Sequence, residues 1–206
     1  MHFRLKMLLI ALATLLLGGC NALVTAPRPV ALFDLGLTEP LAVADGVAPS
    51  QIQVVSPSWL ASSAMQYRLL WDQPARRRVF VESRWVATPS ELVGRSLERA
   101  LLGTNARPNE CRLKIELDEF AQVFETADKS RVELVARATW LAARGERPLA
   151  RRSFQLSADS QPANAEQGVA VYRNLSAQLA RQLADWLIEL DRIRAQALNA
   201  DSACRN

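Results

Sequence analysis

Histidine is almost missing from this chain of 206 residues and 22.8 kDa; the single one is His2. It lies in a leader that the sequence marks for removal, so the mature protein has none. That excludes a Ser-His-Asp or Cys-His mechanism, a histidine general base and a histidine-ligated metal. Glycine is also scarce, at 8 residues, and no Walker or GxGxxG loop is present to cradle a phosphate. Cysteine occurs 3 times, at 20, 111 and 204. Net charge of one sign is lacking too. Lys and Arg total 25 against 21 Asp and Glu, and loss of Arg4 and Lys6 with the leader leaves 23 against 21. A surface so nearly balanced gives no electrostatic basis for nucleic-acid binding.

The leader itself has three parts. Met1–Lys6 is basic, Met7–Leu17 is apolar apart from Thr14, and Gly18-Gly19 precedes Cys20. The apolar run is about half of the roughly 20 residues a helix needs to cross a bilayer, so it reads as a secretory signal. Leu17-Gly18-Gly19-Cys20 resembles the bacterial lipobox. That site implies cleavage before Cys20 and a diacylglycerol, then a further acyl chain such as palmitate, on the cysteine. Asn21 in place of aspartate implies sorting to the outer membrane, with the domain on its periplasmic face. Residues 1–19 are thus expected to be signal, 20–29 a lipid-anchored tether, and 30–206 one domain.

Half of the residues are hydrophobic, enough for one core. Ala31–Leu37 and Gln51–Val55 read as strands, and Ser58–Ala64 as a helical turn. Met65–Trp71 and Val79–Trp85 read as a hairpin around the basic run Arg76-Arg77-Arg78. Thr88-Pro89-Ser90-Glu91 opens a helix with a capping box, running to Gly103. Cys111–Asp118, Val132–Trp140 and Leu149–Leu156 alternate as three antiparallel strands, with a bulge expected at Glu119-Phe120. Ala165 to about Leu198 carries a wide helical stripe from Tyr172 to Ile193. The expected fold is a single α/β domain: a mixed, mostly antiparallel sheet of six or seven strands packed with two main helices.

Cys111 and Cys204 are either a bridge or two free thiols; an oxidising compartment favours the bridge. Asp118 and Glu119 are adjacent on a strand and are expected to face opposite sides, which argues against a catalytic pair. Arg76, Arg77, Arg78 and Trp85 are candidate contacts for a partner or for lipid headgroups, although such a run is usually a solvated loop. No catalytic residue and no metal or cofactor site is expected; the only prosthetic group is the lipid on Cys20.

Met65-Gln66-Tyr67-Arg68, the stretch from Phe80 to Ser83-Arg84-Trp85, Pro89 and Leu92 leading to Leu97 and Leu101, Arg112-Leu113 to Phe120, and Leu149–Phe154 before the last helix occur in an order and spacing that resembles the ABC-type transport auxiliary lipoprotein family. The usual tyrosine-rich first strand is here Ala31-Leu32-Phe33-Asp34-Leu35. The resemblance implies a fold similar to the amino-terminal domain of the TolB translocation protein. It also implies a non-enzymatic subunit, docking the substrate-binding component of a mammalian-cell-entry (MCE) type ABC transporter at the outer membrane for phospholipid traffic. Homo-oligomeric rings are implied as well. A lipoprotein that binds lipid or a small ligand alone, or an envelope scaffold, remains open. Replacing Cys20 (Cys20→Ala) is expected to leave an unacylated precursor and empty the outer-membrane fraction of this protein, read by acyl labelling and fractionation.

Overall fold

The computed structural model describes residues 29–103, 107–196 and 204; the leader, Cys20 and nearly all of the tether lie outside the described residues. Seven strands form one sheet: β1 (Ala31–Phe33), β2 (Gln51–Val55), β3 (Ala64–Leu69), β4 (Arg78–Trp85), β5 (Arg112–Phe124), β6 (Ser130–Leu141) and β7 (Pro148–Ser160). Two helices, α1 (Pro89–Leu102) and α2 (Ala165–Gln196), pack on one face of it. The order is β1-β4-β3-β5-β6-β7, and β2 also pairs with β5. The sheet is mixed: β5-β6-β7 and β3-β4 are antiparallel, whereas β1-β4, β2-β5 and β3-β5 are parallel. The single α/β domain with two helices is therefore the architecture expected. No helix among the described residues is long and apolar enough to cross a membrane.

Local chemistry sets the boundaries. Thr88 Oγ1 accepts from the Glu91 amide at 3.4 Å while Glu91 Oε2 accepts from the Thr88 amide at 3.0 Å, the reciprocal cap that starts α1. The first strand ends at Phe33, not Leu37, because Asp34 Oδ1 accepts from the Gly36 amide at 2.7 Å and Gly36 turns through a φ of +66°. The helical turn is Ser58–Leu60, shorter than expected. The bulge lies between Leu117 and Glu119, one step earlier than the sequence pattern indicates. This earlier position changes which face the neighbouring carboxylates occupy. Glu119 pairs with Val135, which lies on the face away from the helices, and Asp118 reaches Arg137 on that same face. The two carboxylates thus do not face opposite sides; the extra residue has reset the alternation.

On the helix side, Trp85, Phe120 and Tyr172 form a buried triangle with centroid separations of 5.6, 5.2 and 4.2 Å. It joins β4, β5 and α2. Burial holds the Tyr172 phenol well above its usual pKa, so it stays neutral. Leu175, Leu179, Leu183 and Leu187 continue the buried stripe of α2, which meets Val93, Leu97 and Leu101 of α1 within one core. Cys111, at the start of β5, is joined to Cys204. A closed loop of 93 positions contributes about 4–5 kcal/mol in the chain-entropy account.

The start of α2 is held by a buried polar knot. Asn164 Oδ1 accepts from the Gln167 amide at 2.8 Å, capping the helix. Gln122, fully buried in β5, donates from Nε2 to Ser130 Oγ at 2.8 Å and to the Asn164 carbonyl at 3.2 Å. Gly168 lies against it, and a Cβ there would come 2.5 Å from Gln122 Oε1. Any retreat of the Gln122 amide would have to disturb the bonds its Nε2 makes to Ser130 and Asn164. Gly168→Ala is therefore expected to destabilise the fold by about 1–3 kcal/mol through overpacking, although alanine is the better helix former by about 1 kcal/mol. Denaturant unfolding of the two proteins measures the sign.

Candidate docking surface

Strand β5 has an unbroken neighbour on only one side, β6. On the other, β2 pairs with Arg112–Glu116 and β3 with Gln122–Phe124, so two short strands share that edge end to end. The chain between them, around Ser58–Leu60, leaves the middle of β5 without a ladder partner there. Side chains fill the break. Arg77 donates to both Glu119 oxygens, at 2.8 and 2.9 Å, and Arg68 donates to Glu119 Oε2 at 2.8 Å. Arg77 also donates to Gln66 Oε1 at 3.0 Å, and Gln66 Nε2 donates to the carbonyl of Trp59. The Glu119 side chain is 16% exposed and the two arginines about a quarter. Charge-assisted, forked contacts at that depth are among the stronger polar interactions available to a sheet edge.

The arginine run thus separates into three environments. Arg77 is committed to Glu119, Arg78 pairs with Asp72, and Arg76 is exposed. Trp85, expected as a candidate contact for a partner or headgroup, is instead a core residue: it is 2% exposed and locked between Phe120 and Tyr172. Its strand position fits either role; the distant α2 stripe decides for the core. Two other tryptophans stand out instead. Trp59 is 55% exposed with the Arg77 guanidinium 6.0 Å from its ring centroid, and Trp71 is 52% exposed where β3 ends. Trp59 follows Pro57 in the break between strands, and Trp71 precedes Asp72-Gln73-Pro74. A large aromatic at a strand interruption was the available signal for both.

Two concavities flank this region. One, of about 510 Å³, is apolar and lined by Tyr67, Leu69, Trp71, Phe80, Phe124 and Ala163 among others. Tyr67, Phe80 and Phe124 pack there with centroids 4.7, 5.6 and 6.2 Å apart. The other, of about 530 Å³, lies on the face of β5–β7 opposite the helices and is lined by Lys114, Glu116, Arg137, Thr139 and Arg151 among others. There Arg137 bonds Asp118 at 2.7 and 2.8 Å, which holds the Asp118 carboxyl below its usual pKa. Lys114, Glu116, Arg137 and Asp118 form a chain of ion pairs there, so both bulge carboxylates, Asp118 and Glu119, are matched by arginine. The arrangement suits recognition of a surface through aromatic and charged groups on a stiff sheet.

No family model and no curated protein matches the sequence. Solved structures share the fold. A protein of Xanthomonas campestris assigned to family DUF330 superposes with a TM-score of 0.68 at 16% identity, covering 81% of this chain and all of that one. An uncharacterized protein superposes with a TM-score of 0.55 at 14% identity, over 78% of this chain and 99% of the other. A lipoprotein of Neisseria meningitidis overlaps at a TM-score of only 0.25 and 15% identity, over 65% of this chain and 99% of the other, a likeness too loose to carry weight.

Removing the Glu119 carboxylate would strand two half-buried arginines. Glu119→Ala is expected to cost about 1–3 kcal/mol, whereas Arg76→Ala is expected to change stability by less than about 0.5 kcal/mol. Chemical denaturation separates the two.

Proposed function

We propose that the protein is a lipid-anchored, non-enzymatic docking subunit of the cell envelope, held by Cys20 and binding a periplasmic partner through the surface centred on Trp59. By the sequence resemblance, that partner is the substrate-binding component of an MCE-type ABC transporter, and the cargo is phospholipid moving at the outer membrane. The observation that carries the reading is Trp59 itself: a half-exposed tryptophan whose carbonyl is held by Gln66 and whose ring is approached by Arg77, which Glu119 fixes in turn. Binding energy at protein interfaces concentrates in such preorganised tryptophan and arginine anchors. A rigid anchor loses little conformational freedom on association. Acylation at Cys20 adds position, since tethering raises the effective concentration of the domain near other envelope components.

The test is direct binding between the mature protein and the purified periplasmic domain of an MCE-type substrate-binding component from the same cell. Trp59→Ala is expected to weaken the complex by about 2 kcal/mol or more, near 30-fold in Kd, with unfolding unchanged. An unaltered Kd, or no complex with the parent protein, would overturn the proposal.

A further inference from the structure

The parallel register of β1 on β4 fixes which end of the domain the lipid anchor approaches. Ala31 lies opposite Ser83 and Phe33 opposite Trp85, so the chain leading into Ala31 arrives from the Arg78 end of β4. That is the end where the β3–β4 hairpin turns over. The five steps from Ser83 back to Arg78 cover about 17 Å. Phe33 O accepts from the Val86 amide, so residues of its parity on β1 direct their backbone at β4; Pro29 has the same parity and no N–H to extend the ladder. The ladder therefore stops at β1. Beyond it, the outer edge of β4 keeps exposed Val79 and Val81, the latter 82% accessible.

The hairpin end also exposes Leu70 and Trp71 together with Arg76. Asp72 is matched there by Arg78, and Glu119 by Arg77, which leaves Arg76 as the unneutralised charge of the run. Aliphatic side chains, a tryptophan and an arginine at one end form the combination that settles at a bilayer interface, with the indole at headgroup depth and the guanidinium toward phosphate. Ten residues, 21–30, reach at most about 33–36 Å, more than the distance the hairpin must span. We infer that the β3–β4 hairpin tip, through Leu70, Trp71, Val79 and Val81 with Arg76 at its rim, rests on the phospholipid surface to which Cys20 is anchored. This rests on the acylation of Cys20 and adds to it an orientation: hairpin end to the membrane, the disulfide end of β5 away from it.

The protein is extracted from membranes, the mass of its amino-terminal peptide is measured, and it is reconstituted into phosphatidylethanolamine–phosphatidylglycerol vesicles with plain or brominated acyl chains. Brominated lipid is expected to quench the emission of one of the chain's five tryptophans. Trp71→Phe is expected to abolish that quenching and Trp59→Phe to retain it. Equal emission in both vesicles, or quenching that survives Trp71→Phe, overturns the inference while acyl mass at Cys20 leaves the proposed anchor standing. Absence of acyl mass overturns both.

Discussion

The structure depends on how the outer edge of β5 is completed. A strand of 13 residues is too long for either β2 or β3 to cover, and the two meet it from the same side with a break between them. Glu119 reaches into that break because the bulge turns it to the face away from the helices, and Arg77 and Arg68 close on it from the hairpin side. One carboxylate thereby ties β5 to β3 and to the loop entering β4. The hairpin, the exposed Trp59 and the apolar groove between Tyr67 and Phe124 all take their positions from this tie. On the other face, the Trp85–Phe120–Tyr172 triangle fixes the same strands against α2, so the hairpin is held from both sides.

Local chemistry made most elements legible in the sequence. The alternation of Cys111–Asp118 and Val132–Trp140, the capping box at Thr88 and the stripe of α2 each depend on neighbours a few residues away. The pairing of Cys111 with Cys204 was favoured by there being two cysteines beyond the leader. What was not legible depends on distant partners. The bulge lies one residue earlier than expected, at Asp118, which meets Arg137 across the sheet. Arg77 looks like its neighbours until Glu119, 42 positions away, is placed beside it. Trp85 and Trp59 are both tryptophans near strand ends, and only the packing of α2 distinguishes the core residue from the surface one. The end of β1 was a milder case, since Asp34 followed by Gly36 is a local turn signal that the apolar run obscured.

On the proposed anchoring at Cys20, the fold arranges its exposed surfaces in a sequence from the membrane outward. The chain arriving from Cys20 enters at the hairpin end, where apolar groups and Arg76 cluster; Trp59 stands further along, in the strand break; Cys111 and its bridge close the far end of β5. The half-buried carboxylates of Asp118, Glu119 and Glu125 are each matched by arginine or lysine, so they contribute to rigidity. A stiff sheet with one oriented aromatic anchor suits a protein whose role is to hold something at a fixed distance from a lipid surface.

That role is tested most directly by epistasis. Envelope permeability to a detergent is measured in strains lacking this protein, lacking the ATPase of the transporter, and lacking both. A docking subunit that acts only through the transporter predicts the same defect in all three strains. A double deletion clearly worse than either single one would place the protein in a separate pathway and contradict the account.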